Sequence, residues 1–142
     1  SYYRKKPFQI AFGELLIMTV EKVKIEGFEK FEETIPKLDQ LDKKILVLFT
    51  GSKNESGESW CPDCVKAEPV INQVLQETTE DILFVTVTVG DRPIWKNPNN
   101  PFRKDARCKV KSIPTLVKWK TPSRIEEGEC RQKELVSMVL ED

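Results

Sequence analysis

The run Ile45-Leu46-Val47-Leu48-Phe49-Thr50, the segment 51–59 (GSKNESGES) and then Trp60-Cys61-Pro62-Asp63-Cys64 decide the reading of this chain. Five apolar residues ending in Thr, without polar alternation, predict a strand buried on both faces. The Gly/Ser-rich segment is a loop. From Cys61 the period changes: Val65, Ala67, Val70, Ile71, Val74 and Leu75 follow helical spacing. A Cys-x-x-Cys pair at such a strand–loop–helix junction reads as a dithiol redox site. Two cysteines three apart on a first helical turn can close a small disulfide. The first sulfur sits where unpaired backbone N–H groups and the helix dipole favour an anion. That lowers the Cys61 thiol from its ordinary range toward neutrality, and the thiolate is the attacking species in disulfide exchange. Pro62 suits the first helical position, where its missing N–H is not needed. The charge of Asp63 opposes thiolate formation. Asp63 either stabilises the helix start or accepts a proton from Cys64, and the residues leave both roles open.

Working outward, Val20, Val23 and Ile25 predict a first strand broken by Gly27, and Phe28, Phe31, Ile35 and Leu38 predict a helix over 28–39. Pro36 should kink or shorten that helix, and Pro69 should kink the one that opens at Cys61. Residues 82–89 form a second buried strand, ended by Gly90-Asp91. Residues 92–101, with three prolines and three asparagines, read as a loop. A short helix over 102–107, a strand over 115–119, a return strand over 124–126 and a last helix over 129–140 complete the chain. The order β-α-β-α-β-α-β-β-α implies an α/β fold with helices on both faces of a central sheet. The 142 residues amount to one domain. Residues 1–17 look unlike the rest and read as a leader or appended extension outside the fold, with 18–142 as the single domain.

Composition excludes several classes. Lys plus Arg and Asp plus Glu balance at 23 each, so the basic excess of a general nucleic-acid binder is missing. The apolar runs fall short of the ~18–20 residues of a membrane span. There is no His, which removes Ser–His and Cys–His catalysis and every His-containing zinc site. The N-terminal stretch has a basic start, but Glu14 interrupts its apolar part and no cleavage pattern follows, so a signal peptide is not expected. Without export the chain belongs in reducing cytosol, where a close Cys pair is redox-active or metal-binding. A four-cysteine zinc site from Cys61, Cys64, Cys108 and Cys130 is the metal alternative. Its weakness is that Cys108 and Cys130 are 22 positions apart rather than in a second C-x-x-C. A non-catalytic adaptor is the other alternative. Cys108 and Cys130 read as single thiols, partly buried, and Trp95 and Trp119 as packing residues. The cluster at 103–111 reads as a solvated, mildly basic face that could steer a partner.

Ser112-Ile113-Pro114-Thr115-Leu116 precedes the penultimate strand. By frequency alone an X-Pro bond is read as trans. Taken with Ile45 to Pro69, however, this segment resembles thioredoxin. That family pairs a W-C-x-x-C helix start with a Pro eight residues after the first Cys, as Pro69 follows Cys61, and an Ile-Pro-Thr loop facing the cysteines. Thr50-Gly51-Ser52-Lys53, Ser59 to Cys64 and Arg92 to Asn100 are similar, within it, to the thioredoxin domain-containing protein 17 group. The resemblance spans about residues 19–142. It implies a thioredoxin-like fold, with a central mixed β-sheet flanked by helices on both faces. It implies Cys61 as attacking and Cys64 as resolving cysteine, and Pro114 as a cis-proline beside the disulfide. Backbone around Ile113 would hold an extended substrate segment, and Trp60 would wall the site.

The reaction implied is reduction of protein disulfides or cystine, with no bound cofactor. Electrons would come from NADPH through thioredoxin reductase, in a cytoplasmic monomer with no metal, nucleic-acid or membrane partner. A signalling-protein partner is compatible with the family, and peroxidase activity would be a secondary consequence of a reactive Cys61. The chain also departs from ordinary thioredoxins. They carry a buried Asp on the strand before the site and a Lys on its neighbour. Here those positions are Leu48 and a Thr or Val of the 84–89 run. The dipeptide is Pro-Asp rather than Gly-Pro, and the 51–59 loop is longer. These changes predict a narrower substrate range.

Overall fold

In the computed structural model, which describes residues 9–10, 15–16 and 20–141, the Ile45–Thr50 run becomes the central strand of a five-stranded sheet. Strands β1 (Gln9–Ile10) and β2 (Leu15–Leu16) form a separate two-residue antiparallel ladder. The main sheet consists of β3 (Val20–Glu26), β4 (Lys44–Thr50), β5 (Ile82–Thr88), β6 (Thr115–Lys118) and β7 (Arg124–Glu126), in the order β3-β5-β4-β6-β7. Strands β3, β5 and β4 are parallel, and β6 and β7 are antiparallel to their neighbours. The sheet is therefore mixed, as expected. Apart from the four positions in β1 and β2, the expectation about residues 1–17 lies outside the described residues.

Burial follows position in the sheet. Five consecutive residues of β4 are buried, because helices cover both of its faces. Edge strand β3 alternates, with Val23 and Ile25 inward and Lys22 and Lys24 in solvent. Helix α1 (Gly27–Asp39) packs one face of the sheet. Its Phe31, Ile35 and Leu38 join Val47, Phe49, Val85, Phe102 and Trp119. The rings of Phe31 and Phe102 meet edge to face at 5.5 Å, a favoured aromatic geometry. Helices α2 (Pro62–Glu77) and α5 (Lys133–Glu141) pack the other face, where Ala67, Ile71, Val136 and Leu140 meet Leu46, Phe84 and Leu116. Among the described residues no helix is long and apolar enough to cross a membrane.

Three local expectations need correction. Residues 92–101 are not a plain loop. They hold α3 (Arg92–Lys96) and the start of α4 (Pro101–Lys104). Asp91 Oδ1 accepts the Ile94 N–H and Asn100 Oδ1 accepts the Phe102 N–H, so each of these two residues, read as a turn former, is an N-cap. Pro93 and Pro101 fall in first turns, where no N–H is required. Helix α4 stops at Lys104 because Asp105 Oδ1 takes the Arg107 N–H at 2.8 Å in a side-chain turn. The last helix is split into a 3₁₀ turn (Glu127–Arg131) and α5, and the Glu129 carboxylate caps the turn by accepting the Glu126 N–H at 2.9 Å. Pro36 does not shorten α1, which continues to Asp39, and Pro69 lies inside α2, which continues to Glu77.

Candidate active site

The site is built where β4 and β5 end side by side. The loop after β4 is tied to the end of β5: the Ser52 N–H donates to the Gly90 carbonyl at 3.0 Å, and the Gly90 N–H donates to Ser52 Oγ at 3.1 Å. Within the loop, Asn54 Oδ1 accepts the N–H groups of Ser56 and Glu58, and Lys53 bridges to Ser59. These bonds give a long polar loop one path. Trp60 Nε1 donates to the same Gly90 carbonyl at 3.0 Å, which fixes the indole beside the cysteines. A Cβ on Gly51 would lie 3.0 Å from Trp60 Cε2 and 3.1 Å from Cys61 Cβ. Glycine is required there for close approach.

Cys61 is the N-cap of α2. Its sulfur accepts the Cys64 N–H at 3.2 Å, its carbonyl accepts the Val65 N–H at 3.0 Å, and its own N–H donates to Ser59 Oγ at 3.2 Å. Pro62 occupies the first helical turn and Asp63 follows it. Cys61 and Cys64 are joined by a disulfide, with Cα atoms 5.2 Å apart. Both residues are almost fully buried.

The Ile113–Pro114 bond is cis, against its frequency and in line with the family pattern. Ile113 is buried. The Pro114 carbonyl accepts the Glu127 N–H at 2.7 Å and the Cys130 thiol at 3.7 Å. Thr115 Oγ1 donates to the Ser112 carbonyl at 2.7 Å, and Ser112 Oγ to Glu126 at 3.1 Å. Pro114 and Cys64 line one cavity of about 750 Å³ that runs between β3, β5 and α2. Its floor includes Leu48 and Thr86, which are direct neighbours across β4 and β5. Leu48, where the resemblance expects the buried Asp, therefore faces the uncharged Thr86 across the sheet.

The other cysteines stand apart from this chemistry. Cys108 packs in the α1 layer and Cys130 in the α2–α5 layer, on opposite faces of the sheet. Burial pushes each thiol up to about 12, and the charge of Asp105 adds to the shift at Cys108. They are more deeply buried than the sequence reading had them. The four-cysteine zinc alternative fails on this geometry, because Cys108 and Cys130 cannot converge through the sheet. Trp95 and Trp119 are core residues, and the Arg103 guanidinium stacks 3.8 Å from the Trp95 ring centre. Gly90 and Ser52 also hold the site together, and the sequence does not single them out. Gly90 read only as a strand terminator, since nothing local marks its carbonyl as the partner of Trp60.

The thioredoxin domain-containing protein 17-like thioredoxin domain matches residues 24–142. The chain belongs to this family. Thioredoxin domain-containing protein 17 of Mus musculus is 45% identical over 124 residues, covering 87% of this chain and 98% of that protein. The Homo sapiens protein of the same name is 44% identical over 122 residues, covering 86% and 96%. The thioredoxin-like protein Clot of Arabidopsis thaliana is 40% identical over 99 residues, covering 67% and 74%. Among solved structures, oxidised mitochondrial thioredoxin 3 from Saccharomyces cerevisiae superposes with a TM-score of 0.54 at 19% identity, covering 84% of this chain and 94% of that one. At that identity the likeness shows the thioredoxin fold. This member of the thioredoxin domain-containing protein 17-like family thus carries a Cys61–Cys64 disulfide at the head of α2.

Proposed function

We propose that this chain reduces disulfides by thiol–disulfide exchange, with Cys61 attacking and Cys64 resolving. The observation that carries the reading is the Cys61 sulfur at the N-terminus of α2, accepting the Cys64 N–H and within bonding reach of the Cys64 sulfur. In the reduced protein that N–H and the helix dipole favour the Cys61 thiolate. The thiolate attacks one sulfur of the substrate disulfide, the S–S bond breaks, and the first substrate thiolate leaves and takes a proton. Cys64 then gives up its proton and attacks Cys61. The second substrate thiol departs, and the Cys61–Cys64 disulfide holds the oxidation state that the substrate lost. Trp60 walls the site, and the backbone around Ile113 and Pro114 receives the substrate segment in extended form.

On this reading thioredoxin reductase, using NADPH, regenerates the dithiol, and the chain needs no bound cofactor. The reaction belongs in a reducing compartment, the cytosol. The bonded 51–59 loop and the uncharged Leu48–Thr86 wall support a narrower substrate range than that of thioredoxin, with protein disulfides and cystine as the two classes to separate. Reduction of peroxide would be a side reaction of the same thiolate. The test is an NADPH-coupled assay with thioredoxin reductase, using cystine and insulin as substrates. The reading expects turnover that Cys61→Ser abolishes, with cystine favoured over insulin. Full turnover in Cys61→Ser would overturn it.

A further inference from the structure

Cys64 must lose a proton before it attacks the mixed disulfide, yet it is buried, and burial alone disfavours a thiolate. On β4 and β5 the cavity offers no carboxylate, since Leu48 and Thr86 stand side by side there. The cavity beside Cys64 does contain one. Glu68 follows Cys64 by one turn of α2 and lines the same cavity. Side chains four apart share a helix face, with Cβ atoms about 5–6 Å apart. The carboxylate does not wander: Lys53 Nζ lies 3.1 Å from Oε1 and 3.1 Å from Oε2. Lys53 is itself held by its bridge to Ser59, next to Trp60. The other charged groups facing this space are Lys22, Lys24 and Glu26 on β3 and Glu55 on the loop, and Glu26 is paired with Lys24 at 3.8 Å. Asp63 is adjacent to Cys64 in the chain but does not line the cavity. A space of about 750 Å³ holds several waters.

We propose that Glu68, clamped by Lys53, accepts the Cys64 proton through cavity water during the resolving step; this rests on the disulfide-reductase reading above. Before the step, Cys61 is bonded to a substrate sulfur, Cys64 is a thiol and Glu68 is a carboxylate. The proton passes from Cys64 through water to Glu68. The Cys64 thiolate forms the bond to Cys61 Sγ as the Cys61–substrate bond breaks. The leaving substrate thiolate carries the electron pair and is protonated, directly or by the proton held on Glu68. Lys53 fixes the direction of the carboxylate. A Lys–carboxylate pair on the loop and helix thus does the work for which the Leu48 and Thr86 positions of β4 and β5 carry no charge.

The test follows the two releases of thionitrobenzoate when the reduced protein reacts with 5,5′-dithiobis(2-nitrobenzoate) in a stopped-flow instrument. The first release reports attack by Cys61 and the second reports resolution by Cys64. Glu68→Gln is expected to slow the second release at least about tenfold near neutral pH, the lower side of a general-base effect, and to leave the first within about twofold. The deficit should close as pH rises and Cys64 ionises unaided. Glu68→Asp should restore most of the rate, Lys53→Met should show a smaller deficit, and Asp63→Asn should not show the pH-dependent loss. A second release in Glu68→Gln that matches wild type would overturn the proposal. So would one slowed by the same factor at every pH, the mark of altered packing, or a loss that appears in Asp63→Asn instead. Absence of a second release in the wild type would instead sink the dithiol reading beneath it. Glu68 is half exposed, so the glutamine variant should fold, and its melting curve checks that.

Discussion

The backbone N–H of Cys64 donates to the sulfur of Cys61 at 3.2 Å. One residue therefore both caps its partner's charge and closes the disulfide with it. That coupling follows from placing a Cys at the N-cap of α2 and another three residues on, where a capping side chain ordinarily meets the backbone. In the reduced protein the Cys61 thiol should titrate well below the ordinary thiol range. Thiolate absorbance against pH, in wild type and Cys61→Ser, measures it. Asp63→Asn should lower the value further, because a neighbouring negative charge is removed. An ordinary titration in the wild type would contradict the account.

Gly51 allows Trp60 and Cys61 to pack against the backbone at the end of β4. In Gly51→Ala the added carbon meets Trp60 Cε2 at 3.0 Å and Cys61 Cβ at 3.1 Å, so the indole or the cysteine must shift. Destabilisation of about 1–3 kcal/mol, typical of overpacking, is expected in denaturant titration. Disulfide reduction should fall more steeply than stability does, since the displaced residues are the one that carries the reacting sulfur and the one that walls it.

Cys108 and Cys130 should not react in the folded protein. With each thiol pushed up to about 12 by burial, the thiolate fraction at mildly alkaline pH is roughly one in ten thousand. Alkylation of the reduced native protein, read by intact mass, should begin at Cys61 and stop at the Cys61–Cys64 pair, adding no more than two groups. Alkylation in denaturant should add four, matching the cysteine count. Rapid native labelling of Cys108 or Cys130 would contradict the packing described.

Much of this was legible in the sequence because it rests on local pattern. The unbroken apolar run of β4, the β-rich run of β5, the alternation of β3 and the Cys61–Cys64 helix start each announce themselves within a few residues. The N-caps at Asp91 and Asn100 were hidden by their context. Prolines and asparagines signal a turn and a helix start equally, and only the fate of the next free N–H decides between them. The carbonyl of Gly90 illustrates a different limit. Its bonds to Ser52 and Trp60 join residues 30 and more positions away, so no local signal could reveal it. The cis bond at Pro114 followed from family resemblance, not from the frequency of such bonds.

Asp105 links the end of α4 to Arg107. Its carboxylate is held below its ordinary value, first by the hydrogen bond from the Arg107 side chain, with Arg107 N–H and Nε sharing Oδ1 and its terminal nitrogen on Oδ2. A lowered folded-state value means that the unfolded chain binds more protons as pH drops toward about 3.9. The stabilisation is full above that point and is lost as pH falls through the folded-state value. Asp105→Ala should cost about 1–2 kcal/mol at neutral pH, and the gap to wild type should narrow in acid. Denaturant unfolding at neutral and strongly acidic pH checks the sign. An equal gap at both would contradict it.

The central claim is the division of labour between Cys61 and Cys64, and trapping tests it most directly. Reduced Cys64→Ser is mixed with cystine, quenched in acid and examined by intact mass and peptide mapping. The account predicts an accumulating mixed disulfide at Cys61, absent from wild type and discharged by added thiol. No adduct, or an adduct at Cys108 or Cys130 in place of Cys61, would contradict it.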